Sequence, residues 1–254
     1  MKKSVTCIFV HGWAMNSAVW DDCIQQLPDW INVIVVDLPG HGTMAEKGAK
    51  SLDDYVKALV PLAHHPVIWV GWSLGGLVVL RLAEMYPERV AAALLVSTNP
   101  CFVARPDWQH AVENTVFMQF AENLQRDQEK TIQRFIALQV KGASGVMDVV
   151  RQLQKSLKVR GTASLEALES GLYVLLETDL RRNLQHIASP LHWSFGGMDG
   201  LVPRELAEVM QSAFAQQNVL VYEKASHAPF ISHTEDFLRQ LMAIAEDVRN
   251  QVMV

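Results

Sequence analysis

The chain has 254 residues, half of them hydrophobic and 19% charged, with a net charge of −5. That is enough for one large α/β domain with an insertion. The negative balance argues against a nucleic-acid partner, and no apolar run is long enough to span a bilayer. Cys7, Cys23 and Cys101 have neither metal-ligand spacing nor a disulfide framework, so they read as reduced, buried thiols. Lys2 and Lys3 precede no separate apolar segment and no cleavage site, so the chain is expected to be cytoplasmic, without a signal peptide.

Taken in order, Ser4 to Val10 is a β-branched run that predicts a buried strand, ending in His11-Gly12-Trp13-Ala14-Met15-Asn16. A glycine turn past a central strand leaves backbone N–H groups at the carboxyl ends of the strands, where ligands bind in such sheets. Beside a serine elbow this loop supplies an oxyanion donor, here the Trp13 N–H, with the Trp13 ring lining the pocket. A plain core aromatic is the alternative for Trp13, and His11 reads as structural. Asn32 to Asp37 predicts a second strand, followed by Leu38-Pro39-Gly40-His41-Gly42, a tight loop in which His41 is structural or exposed. Ser51 caps a helix start with Asp53 and Asp54 in its first turn.

Val67 to Gly76 carries the strongest signal. An apolar run leads into Gly71-Trp72-Ser73-Leu74-Gly75, and residues with helical spacing lead out. Gly-x-Ser-x-Gly between a buried strand and a helix makes a sharp turn that lifts one serine hydroxyl above the sheet. The glycines let strand and helix pass closely, and the helix N-terminus offers free N–H groups to an oxyanion. Ala91 to Ser97 predicts a further strand. Apolar strands alternating with helices point to a mostly parallel sheet with helices on both faces.

After Pro100 the pattern changes. Residues 104–180 show helical periodicity and are expected to form a helical cap inserted into a core made of 1–103 and 181–254. Ile132, Phe135, Ile136 and Val140 form one stripe, with Gly142 as a stop. Val146, Val149, Val150, Leu153 and Leu157 form the next, and Leu165, Leu168, Leu172, Leu175 and Leu176 a third. The sheet pattern resumes at Pro190 to Gly200, then a helix over about Pro203 to Phe214, a strand over Asn218 to Tyr222, and a final helix over about Thr234 to Arg249.

Three chemically matched residues now follow strand ends in the order Ser73, Asp199, His227. A serine hydroxyl needs a base, a histidine supplies one, and a carboxylate orients the imidazole and stabilises its charged form. Alone, the Gly-Met-Asp-Gly around Asp199 also reads as a simple turn. Asp37 and Asp179 compete with it but follow no late strand, and His233 competes with His227 from the start of a helix. As a set the three are far more specific than any one of them. A serine in the elbow disfavours dehalogenase and epoxide-hydrolase chemistry, and the cycle needs no metal or organic cofactor.

On Ser73, Asp199 and His227 the chain resembles the α/β-hydrolase family over essentially its whole length. Within that family it is similar to the esterases acting on pimeloyl-[acyl-carrier protein] methyl ester. The particular stretches are Gly71-Trp72-Ser73-Leu74-Gly75-Gly76, Arg134-Phe135-x-Ala137-Leu138-Gln139 and His227-Ala228-Pro229-Phe230-Ile231-Ser232-His233. The resemblance implies a serine carboxylesterase that frees the distal carboxylate of a carrier-bound pimeloyl chain, in biotin precursor synthesis. It implies Trp13 and Leu74 as oxyanion donors, and Phe135, Ile136, Ala137, Leu138 and Gln139 as residues lining the acyl channel. The family carries extra N-terminal residues that form its first strands. Here His11-Gly12 comes almost at once, so one edge strand is expected to be missing or shortened.

From Arg126 to Arg160 eight Lys and Arg face three Asp and Glu, a local +5 on a chain of −5. Lys130 and Arg134 are four apart, as are Arg151 and Lys155, so each pair shares a helix face. The resemblance makes these four a docking ridge for acidic acyl carrier protein; a solvated helix face is the alternative. No nucleic acid or membrane partner is expected, and the protein is read as a monomer. The competing functions are a general short-chain carboxylesterase or thioesterase with the same triad, and a non-catalytic ligand receptor of the same fold.

Overall fold

The computed structural model describes residues 4–140, 145–213 and 218–251. The predicted apolar runs become strands β1 (Val5–Val10), β2 (Ile31–Val36), β3 (Val67–Trp72), β4 (Val90–Val96), β5 (Leu191–Gly196) and β6 (Asn218–Tyr222). They form one six-stranded sheet in the order β2-β1-β3-β4-β5-β6, every neighbouring pair parallel. Every residue of β3 is buried, as expected of a strand covered on both faces. From β1 the chain steps out to β2, then returns past β1 to β3. The direction of winding therefore reverses between β1 and β3, and the loops that leave these two strands diverge around a crevice.

The covering helices are α1 (Asp21–Ile24), α2 (Leu52–Leu59), α3 (Leu74–Met85), α4 (Asn114–Arg126), α5 (Gln128–Val140), α6 (Val146–Arg160), α7 (Leu165–Glu177), α8 (Glu205–Ala213), α9 (Pro229–Ser232) and α10 (Thr234–Gln251). Ser51 caps α2 reciprocally: its hydroxyl accepts from the Asp54 N–H, and the Asp54 carboxylate accepts from the Ser51 N–H. The aromatic core is densest where α9 and α10 meet the sheet, with the Trp20 ring 4.1 Å from Phe230 and 5.2 Å from Phe9.

Between β4 and β5 lie helices α4 to α7, which pack on one another and on the loop after β1. The apolar stripes of α5 and α6 are buried at Ile132, Ile136, Val140, Val149, Leu153 and Leu157. In the third stripe Leu165 departs, exposed at the first turn of α7, while Leu168, Leu172 and Leu175 are buried. Residues 104–113 are not helical, against the expectation. They form a loop held by isolated bridges between Val103 and Val112 and between Arg105 and Trp108. The Trp108 indole N–H is shared between Asn99 Oδ1 and the Cys101 carbonyl, so an irregular backbone is anchored without a helix. The expected stop at Gly142 and the expected helix end at Phe214 lie outside the described residues.

Candidate active site

Ser73 stands between β3 and α3 with φ 54° and ψ −117°, a left-handed conformation that costs a non-glycine residue energy. The strain is held by its surroundings. The Ser73 N–H donates to the Val96 carbonyl at 2.9 Å, and its own carbonyl accepts from Thr98 Oγ1 at 2.7 Å. A Cβ on Gly71 would stand 2.5 Å from the Gly75 carbonyl oxygen, and one on Gly75 would stand 2.5 Å from the carbonyl oxygens of both His11 and Val10. Only glycine lets strand, helix and the loop after β1 approach this closely. Leu74 is the first residue of α3, so its N–H has no acceptor within the helix.

Asp199 follows β5 and His227 follows β6, and the sheet order sets these strand ends side by side. Both side chains are buried. One Asp199 carboxylate oxygen accepts from the backbone N–H groups of Leu201 and Val202, at 2.8 and 3.0 Å. The other meets His227 Nδ1 at 2.8 Å. Nδ1 must therefore carry the proton, and Nε2 is left buried with no hydrogen-bond partner among the described residues. The His227 carbonyl accepts from the Trp72 indole N–H at 2.7 Å, which ties the histidine loop to the residue before Ser73. The His227 N–H donates to the Gln139 carbonyl at 3.0 Å, the last turn of α5.

The loop after β1 is pinned from both sides. The Trp13 indole N–H donates to the Leu168 carbonyl of α7 at 2.8 Å, and the Asn16 side-chain amide donates to the carbonyls of Ser156 and Gly161 at 3.0 and 2.9 Å. Beneath it, His11 is fully buried. Its Nε2 accepts from the Leu38 N–H at 2.9 Å, so its Nδ1–H donates to the Gly12 carbonyl. His41 packs beside it and is likewise buried. Burial, then the neighbouring His41, pushes His11 down to about 3, and burial pushes His41 down to about 4. Burial would raise Asp37, but hydrogen bonds from Ser17 and Thr43 outweigh it and hold the carboxyl at about 2. His11 and Asp37 are thus parts of the scaffold.

A cavity of about 40 Å³ opens at Ser73, walled by Trp13, Phe102, Phe117, Phe120, Phe135 and Leu172, among others. Successive residues of a helix point to different faces, so the expected run from Phe135 to Gln139 is divided. Phe135 lines the cavity and packs edge-on against Trp13 at 4.7 Å. Ala137 and Leu138 line an outer groove between α4 and α5. Ile136 and Gln139 are buried, and the Gln139 side-chain amide has no hydrogen-bond partner among the described residues. Sequence reasoning missed Phe102, Phe117 and Phe120; the last two stand three apart on α4, a helical spacing that marks a shared face.

Of the four basic candidates on α5 and α6, all are exposed. Arg151 pairs with Asp148 at 2.8 Å and Lys155 with Asp22 at 3.2 Å, whereas Lys130 and Arg134 carry no ion pair among the described residues. Among those residues no group of three or more His, Cys, Asp or Glu is placed to hold a metal ion, and no helix is long and apolar enough to cross a membrane.

Comparison with known proteins bears on the same residues. A family model described as alpha/beta hydrolase fold matches residues 6–234. A pimeloyl-[acyl-carrier protein] methyl ester esterase from Klebsiella pneumoniae is 37% identical over 237 residues, covering 93% of this chain and 92% of that one. Its counterpart from Pectobacterium carotovorum is 38% identical over 239 residues, covering 94% and 93%. Among solved structures, an esterase from Exiguobacterium antarcticum superposes with a TM-score of 0.85 at 20% identity, covering 97% of this chain and 93% of that one. A bromoperoxidase from Bacillus anthracis gives 0.87 at 18%, covering 96% and 92%. The last two share the fold alone. With the family match running unbroken from β1 to the start of α10, the chain belongs to the α/β-hydrolase family.

Proposed function

We propose that the protein is a serine carboxylesterase that hydrolyses the methyl ester of a pimeloyl chain carried on acyl carrier protein. The observation that carries the substrate is the likeness to esterases named for this ester, 36–38% identical over more than nine tenths of both chains. The chemistry is supported by the Asp199–His227 hydrogen bond, by an Nε2 without a partner among the described residues and by a strained serine at the strand-to-helix turn.

Ser73 Oγ attacks the ester carbonyl while His227 Nε2 takes its proton. Asp199 holds the imidazole in the tautomer this requires and stabilises the imidazolium that forms. The backbone N–H groups of Trp13 and Leu74 receive the oxyanion, a contact worth about 3–4 kcal/mol per donor. Methanol leaves with the proton from His227, and water then releases the acid by the same route. The acyl chain lies against the aromatic wall of Trp13 and Phe135. Residues 104–180 act as the cap, and the carrier docks on Lys130 and Arg134, with Arg151 and Lys155 adding to a basic face that steers an acidic partner. A carrier-bound substrate supports reading the enzyme as cytoplasmic.

The test is release of free acid from the carrier-bound pimeloyl methyl ester by the native chain and by Ser73→Ala. Rapid turnover lost in the variant is expected. Cleavage of p-nitrophenyl esters without turnover of the carrier-bound ester would leave a general carboxylesterase and sink the substrate.

A further inference from the structure

We infer that Thr98 is a positioning residue for the ester hydrolysis proposed above: its hydroxyl, bonded to the Ser73 carbonyl, aims the Leu74 N–H at the oxyanion. This role rests on Leu74 acting as an oxyanion donor, as proposed; the contacts that fix Thr98 stand without it.

Backbone strain marks the place. Among the described residues, three other than glycine have a left-handed φ: Ala14 at 61°, Ser73 at 54° and Ser97 at 43°. They follow β1, β3 and β4, three neighbours in the sheet, at the carboxyl ends where the site is built. Such strain persists only where the surroundings over-determine it, and it gathers at functional sites. Ala14 and Ser73 belong to the loop and the elbow already described. Ser97 belongs to neither, but Trp72 pairs with Val96 in register, so Ser73 and Ser97 leave the sheet side by side.

The residue that the Ser97 turn delivers is Thr98, fully buried and held from several directions. Before it, the Ser97 N–H donates to the Ser194 carbonyl at 2.7 Å. After it, the Asn99 side chain donates to the His110 carbonyl at 2.9 Å and accepts from the Cys101 N–H at 3.1 Å. A β-branched side chain has few rotamers. This one lies so close to α3 that a Cβ on Gly76 would stand 2.6 Å from the Thr98 Cβ. Its hydroxyl is therefore presented at one fixed point.

That point is the Ser73 carbonyl oxygen. It accepts from the Gly76 N–H at 2.9 Å and the Leu77 N–H at 3.2 Å, both within α3, and from Thr98 Oγ1 at 2.7 Å. The shortest of the three bonds comes from outside the helix. A peptide unit is planar and trans, so the Ser73 carbonyl and the Leu74 N–H point in opposite directions and turn together. Helix ends fray, and bonds from within α3 move with α3. The Thr98 bond ties this peptide to the end of β4 instead. It sets the direction of the Leu74 N–H relative to the sheet, from which Asp199 and His227 also extend. A donor already aimed at the developing oxyanion stabilises it without reorganising, and that benefit depends on the aim.

Thr98→Val removes the hydroxyl and keeps the shape, whereas Thr98→Ser keeps the hydroxyl. Hydrolysis of p-nitrophenyl butyrate, per site counted by complete fluorophosphonate labelling, gives kcat and KM without any carrier. An alkyl trifluoromethyl ketone, whose carbonyl carbon bonds to the serine oxygen and leaves an oxyanion, reports the oxyanion contact through its Ki. Thr98→Val is expected to lower kcat about tenfold with KM unchanged and to raise the Ki about tenfold, less than the hundredfold or so for loss of a donor. Thr98→Ser is expected to stay within about twofold of the native chain in both. Thr98→Ala takes the place of Thr98→Val if that variant fails to fold. A lower melting temperature with kcat and Ki unchanged would make Thr98 structural and overturn this role; so would a fall in kcat with Ki unchanged, or a loss that Thr98→Ser shares. Ser73→Ala, run alongside, separates the two readings. Undiminished hydrolysis in that variant overturns the serine mechanism itself, whereas hydrolysis abolished there but indifferent to Thr98→Val overturns the role of Thr98 alone.

Discussion

Two buried histidine–aspartate neighbourhoods lie at the same end of the sheet, and they are built to opposite ends. Around Asp37 and His11 the hydrogen-bonding groups of both side chains are taken up, and the Nε2 of neighbouring His41 is the one imidazole nitrogen there without a partner among the described residues. Asp37 accepts from the Ser17 and Thr43 backbones and the Thr43 hydroxyl, and His11 bonds through both ring nitrogens. Around His227 one place is left open: Asp199 keeps a carboxylate oxygen for the imidazole, and Nε2 has no partner among the described residues. A carboxylate and an imidazole bonded on all sides hold a loop still. An imidazole with one side open stores the capacity to take a proton, at the cost of a buried nitrogen left unbonded.

The sharpest way to break this contrast is to remove the open cluster. Ser73→Ala or His227→Ala should lower kcat by about 10⁶, and Asp199→Asn by about 10⁴ through the wrong tautomer, each with an unchanged circular dichroism spectrum. Asp37→Asn should do the reverse, keeping kcat within a few-fold and costing about 2 kcal/mol of stability in urea unfolding. If Asp37→Asn instead abolished turnover with stability intact, the division of labour would be wrong. Gly75→Ala, which drives a methyl group into the His11 and Val10 carbonyls, should cost about a hundredfold in kcat by shifting the elbow against the loop after β1.

Acid sharpens the comparison from the side of stability. His11 and His41 ionise near pH 6.5 when unfolded but only at about 3 and about 4 when folded. As pH falls below 6.5 the unfolded chain binds protons that the folded one refuses, so stability drops down to about pH 4 on account of His41 and on to about pH 3 on account of His11. Asp37 adds its own loss only below pH 3.8. His41→Gln should flatten the fall between pH 7 and 4.5 by about 2 kcal/mol, read from urea midpoints; an equal slope in variant and native chain would contradict the assignment. The smallest effect is expected at the surface, where Arg151→Ala, losing only an exposed pair with Asp148, should alter stability by less than about 0.5 kcal/mol.

How much could be read in advance differs between the same two parts of the molecule. The strands, the elbow and the order Ser73, Asp199, His227 were legible because each depends on local chemistry: β-branched runs, glycines where a Cβ has no space, an acid and an imidazole after late strands. The cavity wall was not. Phe120 lies on a helix with one buried residue, so its inward face is set by α5 and α7 rather than by its own periodicity. Residues 104–113 carry helix-like spacing but are claimed by Trp108 and its two acceptors. The partition of Phe135 to Gln139 among cavity, groove and core likewise depends on how α5 is rolled against its neighbours. Tertiary contact decides such matters, and a single sequence records it only weakly.

The hydrogen bonds that pin the catalytic loops have a consequence for the order in which the chain acquires its parts. Trp13 to Leu168 spans 155 residues, Asn16 to Ser156 spans 140, and Trp72 to His227 again spans 155. Each closes more than half of the polypeptide into a loop, which is entropically slow compared with forming a helix or pairing β1 with β2. The β-sheet and its helices can assemble while the loop after β1 and the histidine loop still lack their distant anchors. Catalytic competence is then among the last properties to appear during synthesis, after residues near the C-terminus have emerged and closed onto a framework already formed.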